Sequence, residues 1–173
     1  MGRQYILTID TGTTNTRVTL LGGGYAKVCE AKREAGVRNT AIDGNNTQLK
    51  NAVRDCIDEV LIKSGISYDN VKCILASGMI TSNVGLVEIP HLTAPVGIEN
   101  LVRATRAVEL PDIPLPIHFI PGVKNNQDKV DLKNFESMDI MRGEEVESVS
   151  LIERYYTGAP LLIVLPGSHN KFI

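Results

Sequence analysis

Three strand-like segments lie within the first 33 residues, and the links between them are too short to hold a helix. Residues 5–10 and 16–21 alternate apolar with polar side chains and are rich in β-branched types, and residues 26–33 form a third such run. Successive strands joined by tight turns pair with each other in antiparallel fashion. The sequence therefore predicts that the chain opens with a three-stranded antiparallel meander.

From residue 46 onward the apolar spacing is that of helices alternating with strands. A long helix is predicted to begin at its N-cap Thr47 and to end before Gly65. Further patterns predict strands at 71–76, 117–120 and 161–165 and helices at 98–105 and 146–156, while the polar residues 123–134 predict a surface loop. The order βββαβαβαβ predicts an α/β fold, in which helices cover both faces of a mixed sheet.

Composition limits the classes of function that are open to the chain. Its 173 residues are about one domain's worth, with 43% hydrophobic and 22% charged residues, the usual globular mixture. A net charge of -2 offers no field for nucleic acid or an anionic membrane, and no apolar run approaches the length of a membrane span. We expect a soluble, cytoplasmic protein. Cys29, Cys56 and Cys73 are odd in number and widely spaced, which favours free thiols over disulfides or a zinc site.

A short turn sequence occurs twice, at an offset of 155 residues. Gly12, Thr13 and Asn15 coincide with Gly167, Ser168 and Asn170, and both copies follow an apolar strand. If the match is a duplication, residues 1–158 form a first domain and residues 159–173 open a second one. The chain would then be a fragment of a larger protein, although a match over so few positions can also arise by chance.

The first of these turns carries the residues that phosphate chemistry requires. Asp10 ends a predicted strand, and Gly12, Thr13, Thr14 and Asn15 follow it. Glycine lets the backbone approach an anion, turn amides and hydroxyls donate to phosphate oxygens, and the carboxylate can hold Mg²⁺ directly or through water. The turn links two strands, which excludes a Walker loop and a dinucleotide fingerprint. A plain hairpin turn is the alternative interpretation.

Two other segments follow strands or open helices and combine small and charged residues. Residues 77–83 come after the fourth predicted strand, where Gly78 and Met79 could contact a polyol, or form an ordinary loop. Arg142 precedes Glu144 and Glu145 at the start of a predicted helix, with Asp139 shortly before it. Arg142 could bind an anion and one carboxylate could serve as a general base or metal partner, or the acids could simply favour the helix dipole.

The second turn lacks the acid of the first, because Leu165 stands where Asp10 stands in the first copy. Only the first copy could therefore anchor a metal. His169 could donate to a phosphoryl group or accept a proton from a hydroxyl, or be an ordinary surface histidine. Arg17 and Arg38 could each clamp a carboxylate. His91 and His118 stand alone and are interpreted as structural.

Together these segments resemble the 2-dehydro-3-deoxygalactonokinase family. The resemblance rests on residues 9–15 with Arg17, 76–80, 95–98, 141–145 and 165–171, and it runs from Tyr5 to the last residue. The family lies in the sugar kinase, Hsp70 and actin superfamily, which duplicates an RNase H-like domain and binds ATP between the two copies. The resemblance thus implies one RNase H-like half of an actin-like ATPase fold.

The resemblance also implies a reaction, the transfer of the ATP γ-phosphate to the 6-hydroxyl of 2-dehydro-3-deoxy-D-galactonate with Mg²⁺. By position, Asp10 would orient the metal, Gly12, Thr13, Thr14 and Asn15 would form the first phosphate loop, and Gly167, Ser168 and Asn170 would belong to the second. On the residue types argued above, Arg17, Gly78, Met79 and Arg142 are the candidates for contact with the substrate. Asp139, Glu144, Glu145 and His169 all remain candidates for the general base. The family's adenosine-binding segment belongs to the second domain, so we expect the chain alone to be inactive.

Two alternatives come from other classes of protein. An RNase H-like nuclease needs a carboxylate at the end of the fourth strand, where this sequence has Ser77 and Gly78, and its negative net charge also disfavours nucleic acid. A non-catalytic lone domain that acts as a binding or assembly module is the stronger alternative. Because residues 161–165 are all apolar, we also expect this strand either to pack against its own domain or to pair with a second copy of the chain in a homodimer.

Overall fold

A computed structural model describes residues 4–125, 138–166 and 170–173. Its strands are β1 (Tyr5–Thr11), β2 (Thr16–Leu21), β3 (Lys27–Arg33), β4 (Val71–Gly78), β5 (Leu92–Thr93), β6 (Arg106–Val108), β7 (Ile117–Phe119), β8 (Val123–Lys124), β9 (Ile140–Met141), β10 (Val164–Leu165) and β11 (Lys171–Phe172). Its α-helices are α1 (Val37–Asp43), α2 (Thr47–Ser64), α3 (Ile98–Ala104) and α4 (Glu144–Tyr155).

A six-stranded mixed sheet in the order β3-β2-β1-β4-β7-β6 forms the centre of the fold. β1, β2 and β3 are antiparallel neighbours, which confirms the predicted meander. β4 runs parallel to β1, and β7 runs parallel to β4, as the crossover pattern predicts. The α/β fold class is therefore confirmed, and the parallel strands bring the carboxyl ends of β1 and β4 to one edge of the sheet.

The two faces of the meander differ in character. On one face Leu7, Ile9, Val18 and Leu20 are buried with the apolar side of α2 in a single cluster. Because strand side chains alternate between faces, Thr8, Asp10, Arg17 and Thr19 point to the opposite face. A row of polar and charged side chains on the sheet therefore remains available to a ligand.

Helix α2 agrees with the prediction apart from its first residue. The N-cap is Asn46 rather than Thr47, and the Asn45 side-chain oxygen accepts from the Thr47 N–H at 3.1 Å. Gly65 ends the helix with a φ of 63°, as predicted. Helix α1 was not predicted, because it is short and its Ile42 is 71% exposed, so no apolar stripe marks it.

The prediction of a loop over residues 123–134 is wrong at its start. Val123–Lys124 is strand β8, which pairs with β5 on one side and β9 on the other. Residues 126–134 of that prediction lie outside the described residues. A pair of residues carries no measurable period, so such a strand leaves no signal in the sequence.

The prediction of a buried strand over residues 161–165 is also wrong in part. Only Val164–Leu165 is a strand, and it pairs with β11 of the same chain. Ile163 and Ile173 extend this hairpin by exchanging hydrogen bonds of 2.8 and 3.0 Å. Ile163 is buried, but Leu162 and Phe172 are each 69% exposed. Pairing with a second copy of the chain remains a prediction.

Two expectations drawn from composition can be compared with the structure. Among the described residues no helix is both long and apolar enough to cross a membrane. Cys29, Cys56 and Cys73 are free thiols, of which Cys56 is buried and the other two are half-buried.

Candidate active site

The turn between β1 and β2 presents backbone N–H groups to solvent. Its carbonyl side faces α1, whose Val37 and Arg38 N–H groups donate to the oxygens of Gly12 and Thr13 at 3.2 and 2.9 Å. A β-carbon on Gly36 would lie 2.5 Å from the Thr13 oxygen, so only glycine permits this contact. In the described part of the chain the Thr13 and Thr14 N–H groups find no acceptor. They are placed to donate to an anion.

Two buried threonines fix the base of this turn. The Thr16 hydroxyl donates to the Ala35 oxygen at 2.7 Å, and the hydroxyls of Thr11 and Thr16 lie 3.2 Å apart. Because the Thr16 hydroxyl has a single proton, Thr11 is the donor of the second hydrogen bond. The turn is therefore held by side chains from both strands and does not depend on a ligand for its shape.

Asp10 lies on the polar face of the sheet, opposite Arg17 in β2 and beside Ser77 in β4. Desolvation raises the pKa of its carboxyl group, the Arg17 charge opposes this rise, and the Glu144 carboxylate adds to it. No side chain or N–H group of the described residues donates a hydrogen bond to this carboxylate. The Asp10 charge is thus poorly compensated, and a cation there would be favoured.

A cleft of about 530 Å³ separates this face from the start of α4. We call it the sheet cleft, and it is lined by Thr8, Ile9, Asp10, Arg17, Thr19, Glu30, Ser77, Arg142, Gly143, Glu144, Val146, Glu147, Leu165 and Pro166. The Glu147 carboxyl in it also has a raised pKa, because of burial first and then the charges of Asp10 and Glu144. Acidic groups therefore gather at one end of the sheet cleft.

Gly78 joins β4 to the following loop directly beside Asp10. Its backbone has a φ of 87° and a ψ of -158°, a region that side-chain-bearing residues avoid. A β-carbon there would lie 2.6 Å from the Thr11 oxygen and 3.1 Å from a carboxylate oxygen of Asp10. Glycine at position 78 is thus required by the close approach of two strand ends, while its predicted contact with the substrate stays a prediction.

A second cleft, of about 880 Å³, is lined in part by residues of that loop. We call it the loop cleft, and it is lined by Gly12, Thr13, Met79, Ser82, Asn83, Glu88, Pro90, His91, Ile140, Arg142, Glu144 and Lys171. Met79 lines it, but Gly78 is not in its lining. Arg142 and Glu144 are the side chains common to both clefts, so they form the wall between them.

The two acids at the start of α4 have different surroundings. Both oxygens of Glu145 accept from the Gly143 N–H, at 2.9 and 2.8 Å, and its side chain is buried. Burial raises the Glu145 pKa to about 7, against the opposing effect of these hydrogen bonds. One oxygen of Glu144 accepts from the Arg142 N–H at 2.8 Å, while its side chain faces the clefts. Glu145 thus stabilises the start of α4 from a buried position. Of the two acids, only Glu144 is placed to contact a ligand.

Arg142 makes contacts that sequence reasoning did not foresee. Its Nη1 donates to the oxygen and the hydroxyl of Thr81, each at 2.6 Å, and its Nη2 donates to the Ile89 oxygen at 3.1 Å. Nη2 also lies 3.4 Å from Nδ1 of His91. Burial lowers the Arg142 pKa. The terminal nitrogens predicted to bind an anion are therefore engaged by the protein itself.

The structure adds Lys171 and His91 to the site, neither of which was proposed as functional. Lys171 lines the loop cleft and forms an ion pair with Asp139, whose carboxylate also accepts from the Ile140 N–H at 2.9 Å. Burial lowers the His91 pKa, and the Arg142 and Lys124 charges add to this effect. No spacing in the sequence links these residues to the first turn.

Several predicted site residues lie outside the loop and sheet clefts or outside the described residues. Thr14, Asn15 and Arg38 border a separate cavity of about 470 Å³ beside α1. Asn170 is described, next to β11. Gly167, Ser168 and His169 fall outside the described residues, so the proposed second phosphate turn is not tested.

The acids present fit Mg²⁺ held by one carboxylate rather than a protein cage. Within the described ranges no three His, Cys, Asp or Glu side chains are grouped closely enough to enclose a metal. Mg²⁺ in phosphoryl-transfer enzymes usually keeps several waters and binds one or two carboxylates together with substrate phosphates. The carboxylate of Asp10, which Arg17 compensates only in part and which lies on the strand leading into the open turn, is such a donor.

Comparison with known proteins identifies the family and the fold. The sequence profile of the 2-keto-3-deoxy-galactonokinase family matches residues 10–173. A crystal structure of a candidate 2-dehydro-3-deoxygalactonokinase protein from Sinorhizobium meliloti superposes with a TM-score of 0.71 at 23% identity, covering 97% of this chain and 49% of that one. The chain thus spans about half the length of this solved structure, and at such identity the likeness establishes the fold alone.

Other comparisons are weaker. The activator of the 2-hydroxyisocaproyl-CoA dehydratase from Clostridium difficile, with bound ADPNP, gives a TM-score of 0.33 at 17% identity over 42% of this chain and 23% of that one. A reductive activator for a corrinoid, iron-sulfur protein gives 0.39 at 18% identity over 46% and 15%. Scores this low support no argument. A search among curated proteins finds no match.

Proposed function

The chain belongs to the 2-keto-3-deoxy-galactonokinase family, and on that premise we propose that the protein containing it is an ATP-dependent sugar-acid kinase. The reaction is transfer of the ATP γ-phosphate to the 6-hydroxyl of 2-dehydro-3-deoxy-D-galactonate. ATP and Mg²⁺ are the cofactors, and the partners are small molecules. The family name supports the sugar-acid class, and the position of the hydroxyl follows from the resemblance described above.

One observation carries the proposal: the open amides of Thr13 and Thr14 lie at the same sheet edge as the carboxylate of Asp10, whose charge Arg17 compensates only in part. Phosphoryl transfer depends almost entirely on positioning and on neutralising charge at the phosphate oxygens. Amides can bind those oxygens, and a carboxylate can hold the cation that accompanies them. A plain hairpin turn would require neither feature.

Asp10 would hold Mg²⁺ in the sheet cleft, where the metal would draw charge away from the phosphate oxygens. Its pKa is raised mainly by burial, which the Arg17 charge opposes only in part, and a bound divalent cation would favour the ionised form. Arg17, directly opposite in the β1–β2 ladder, is close enough to share in binding an anionic group. Binding of the cation would therefore favour the ionised form of Asp10, and ionisation of Asp10 would favour binding of the cation.

The loop cleft would hold the sugar acid. Met79 and Ser82 line it together with the turn residues Gly12 and Thr13, so a hydroxyl bound there would lie near the phosphate site. Lys171 supplies a cation for the carboxylate, with the half-exposed Asp139 as its partner in the free protein. Because the Arg142 terminal nitrogens are engaged by Thr81 and Ile89, its predicted contact with substrate is the weakest of these roles.

The domain division is part of the proposal. Residues 1–158 would form the first domain, and residues 159–173 would lead into a second one that completes the nucleotide site. Half a cleft provides neither an adenine pocket nor closure around the phosphates. We therefore expect these 173 residues alone to transfer phosphate poorly or not at all.

A non-catalytic binding module remains the second candidate, favoured by one observation. Leu162, Val164 and Phe172 expose apolar surface on the β10–β11 hairpin. Exposed apolar groups of this kind often mark contacts with another protein or domain. If the main function of the chain is to bind a partner through this surface, the turn amides would not need to bind phosphate.

Product analysis tests the proposed reaction. The natural protein that contains this chain is incubated with ATP, Mg²⁺ and 2-dehydro-3-deoxy-D-galactonate, and the product is examined by phosphorus NMR with carbon correlation. The expected product is a phosphate ester at carbon 6. An ester at another carbon would overturn the position, and no ester from correctly folded protein would overturn the kinase proposal.

A further inference from the structure

We infer that Glu144 is the general base of the transfer, the carboxylate that accepts the proton of the acceptor hydroxyl. This inference rests on the proposed function. The juxtaposition that carries it is the position of Glu144 in the wall between the sheet cleft and the loop cleft. A base for phosphoryl transfer must reach the acceptor hydroxyl and lie beside the phosphate it attacks.

Glu144 meets both conditions of position. In the sheet cleft it is close enough to Asp10 for its charge to raise the pKa of that carboxyl group. In the loop cleft it shares the lining with Gly12 and Thr13, which belong to the turn with the open amides. A hydroxyl bound in the loop cleft would therefore lie between Glu144 and the phosphate site.

The Glu144 carboxylate is held by one oxygen and open at the other. Oε2 accepts from the Arg142 N–H at 2.8 Å, and no donor to Oε1 exists among the described residues. The Arg142 side chain is in turn bonded to Thr81 and Ile89, which fixes the backbone that holds Glu144. One pinned oxygen and one free oxygen suit a carboxylate that must take a proton from a defined direction.

The other acids considered for this role are less suitably placed. Glu145 is 2% exposed, with both oxygens on the Gly143 N–H. Asp139 is paired with Lys171 and is absent from the lining of both clefts. Glu147 lines the sheet cleft but not the loop cleft. His169 lies outside the described residues, so the experiment must compare it with Glu144 directly.

The step balances without any further reactant. The acceptor oxygen forms a bond to the γ-phosphorus while the bond from that phosphorus to the β–γ bridging oxygen breaks. The hydroxyl proton passes to Oε1 of Glu144, the bond electrons leave with ADP, and the proton then passes to water. Glutamate is regenerated, and the products are the phosphate ester, ADP and a proton.

The test is steady-state kinetics of Glu144→Gln and His169→Asn in the natural protein, with Glu153→Gln as the matched control. Glutamine keeps an oxygen that can accept from the Arg142 N–H, so the helix start should be preserved. Glu153 is an exposed residue of the same helix, outside both clefts. ATP affinity and the thermal unfolding midpoint are measured beside kcat and the acceptor KM for each variant.

We expect Glu144→Gln to lower kcat by roughly 100-fold or more, with acceptor KM, ATP affinity and unfolding midpoint changed little. The control should equal the wild type. A wild-type kcat for Glu144→Gln would overturn the assignment of the base, above all if His169→Asn alone lowered kcat by roughly 100-fold. Either result would leave the proposed kinase activity standing. A wild-type protein without transfer activity would instead overturn the proposed function.

Discussion

The guanidinium of Arg142 donates two hydrogen bonds of 2.6 Å to Thr81, one to its carbonyl oxygen and one to its hydroxyl. The same hydroxyl donates to the Gly78 oxygen at 3.1 Å. A residue at the start of α4 is thereby joined to the loop that follows β4, where Asp10 and Gly78 meet. This connection holds the wall between the two clefts.

Arg142→Ala should therefore reduce stability rather than only substrate binding. The variant leaves the oxygens of Thr81 and Ile89 without their donor, and unsatisfied groups of this kind cost roughly 2–4 kcal/mol together. Urea unfolding measures the loss. Arg103→Ala is the control, because Arg103 is an exposed partner of Glu99 and should change stability by about 0.5 kcal/mol or less. Unchanged stability of Arg142→Ala together with a raised acceptor KM would contradict this structural role and show instead that Arg142 binds the substrate.

Gly78→Ala should be one of the most damaging single-atom additions to the chain. The new methyl group would lie 2.6 Å from the Thr11 oxygen, in a backbone region restricted to glycine. We expect a loss of roughly 3 kcal/mol or more in the free energy of unfolding.

The Gly44→Ala variant measures the cost of an unfavourable backbone conformation without a steric clash. Gly44 has a φ of 68°, but no atom within 4 Å of its added carbon, so only the backbone cost of about 1 kcal/mol applies. Denaturant unfolding of both variants gives the comparison. Equal losses of stability in the two variants would mean that Gly78 lies farther from the Thr11 oxygen than the structure shows.

Glu145 should make stability depend on pH between about 4.5 and 7. Its pKa is about 7 in the folded chain and about 4.5 for an ordinary glutamate in water, so the folded state holds the proton more tightly. The resulting stabilisation is complete below pH 4.5 and is lost as the pH rises through 7. The difference between the two pKa values corresponds to about 3 kcal/mol in the free energy of unfolding.

Glu145→Gln tests this dependence, because glutamine resembles the neutral acid at every pH. We expect the variant to match the wild type near the acid end of this range and to be more stable above pH 7, by up to about 3 kcal/mol. The measurement is urea unfolding at several pH values, with Glu153→Gln as the control. Equal stability of wild type and variant above pH 7 would contradict a carboxyl group whose pKa is raised by burial.

The predicted homodimer gives a separate test on an exposed side chain. Leu162 is 69% exposed beside the β10–β11 hairpin, so Leu162→Asp should leave the chain folded while opposing apolar contact between copies. Sedimentation of the 173-residue chain is expected to show a dimer for the wild type and a monomer for the variant. A wild-type monomer, or a dimer in both, would exclude pairing through this segment.

Sequence patterns predicted the elements that are long enough to show a period. The meander and α2 were found because six or more residues repeat an apolar spacing over one buried face. β8 and β9 have two residues each and take their place from their partners, not from their own composition. Pairing imposed by distant parts of the chain cannot be read from a local pattern.

The site was predictable in its residue types but less so in its contacts. The turn after Asp10 stood out because glycine, threonine and an acid together are uncommon outside phosphate sites and hairpins. Glu144 and Glu145 could not be separated by sequence, since one residue along a helix is a rotation of about 100° that sends one side chain inward. The bonds of Arg142 to Thr81 and Ile89 span 61 and 53 positions and leave no local signal.

The most direct test of the account is acceptor-dependent ADP formation by the natural protein, compared with its Asp10→Asn variant. With ATP, Mg²⁺ and 2-dehydro-3-deoxy-D-galactonate, the wild type should release ADP only when the sugar acid is present. Asp10→Asn should lose about 100-fold or more of this rate with an unchanged unfolding midpoint, because it removes the metal-holding charge and keeps the shape. Wild-type rates in the variant, or no sugar-acid-dependent ADP from folded wild type, would contradict the account.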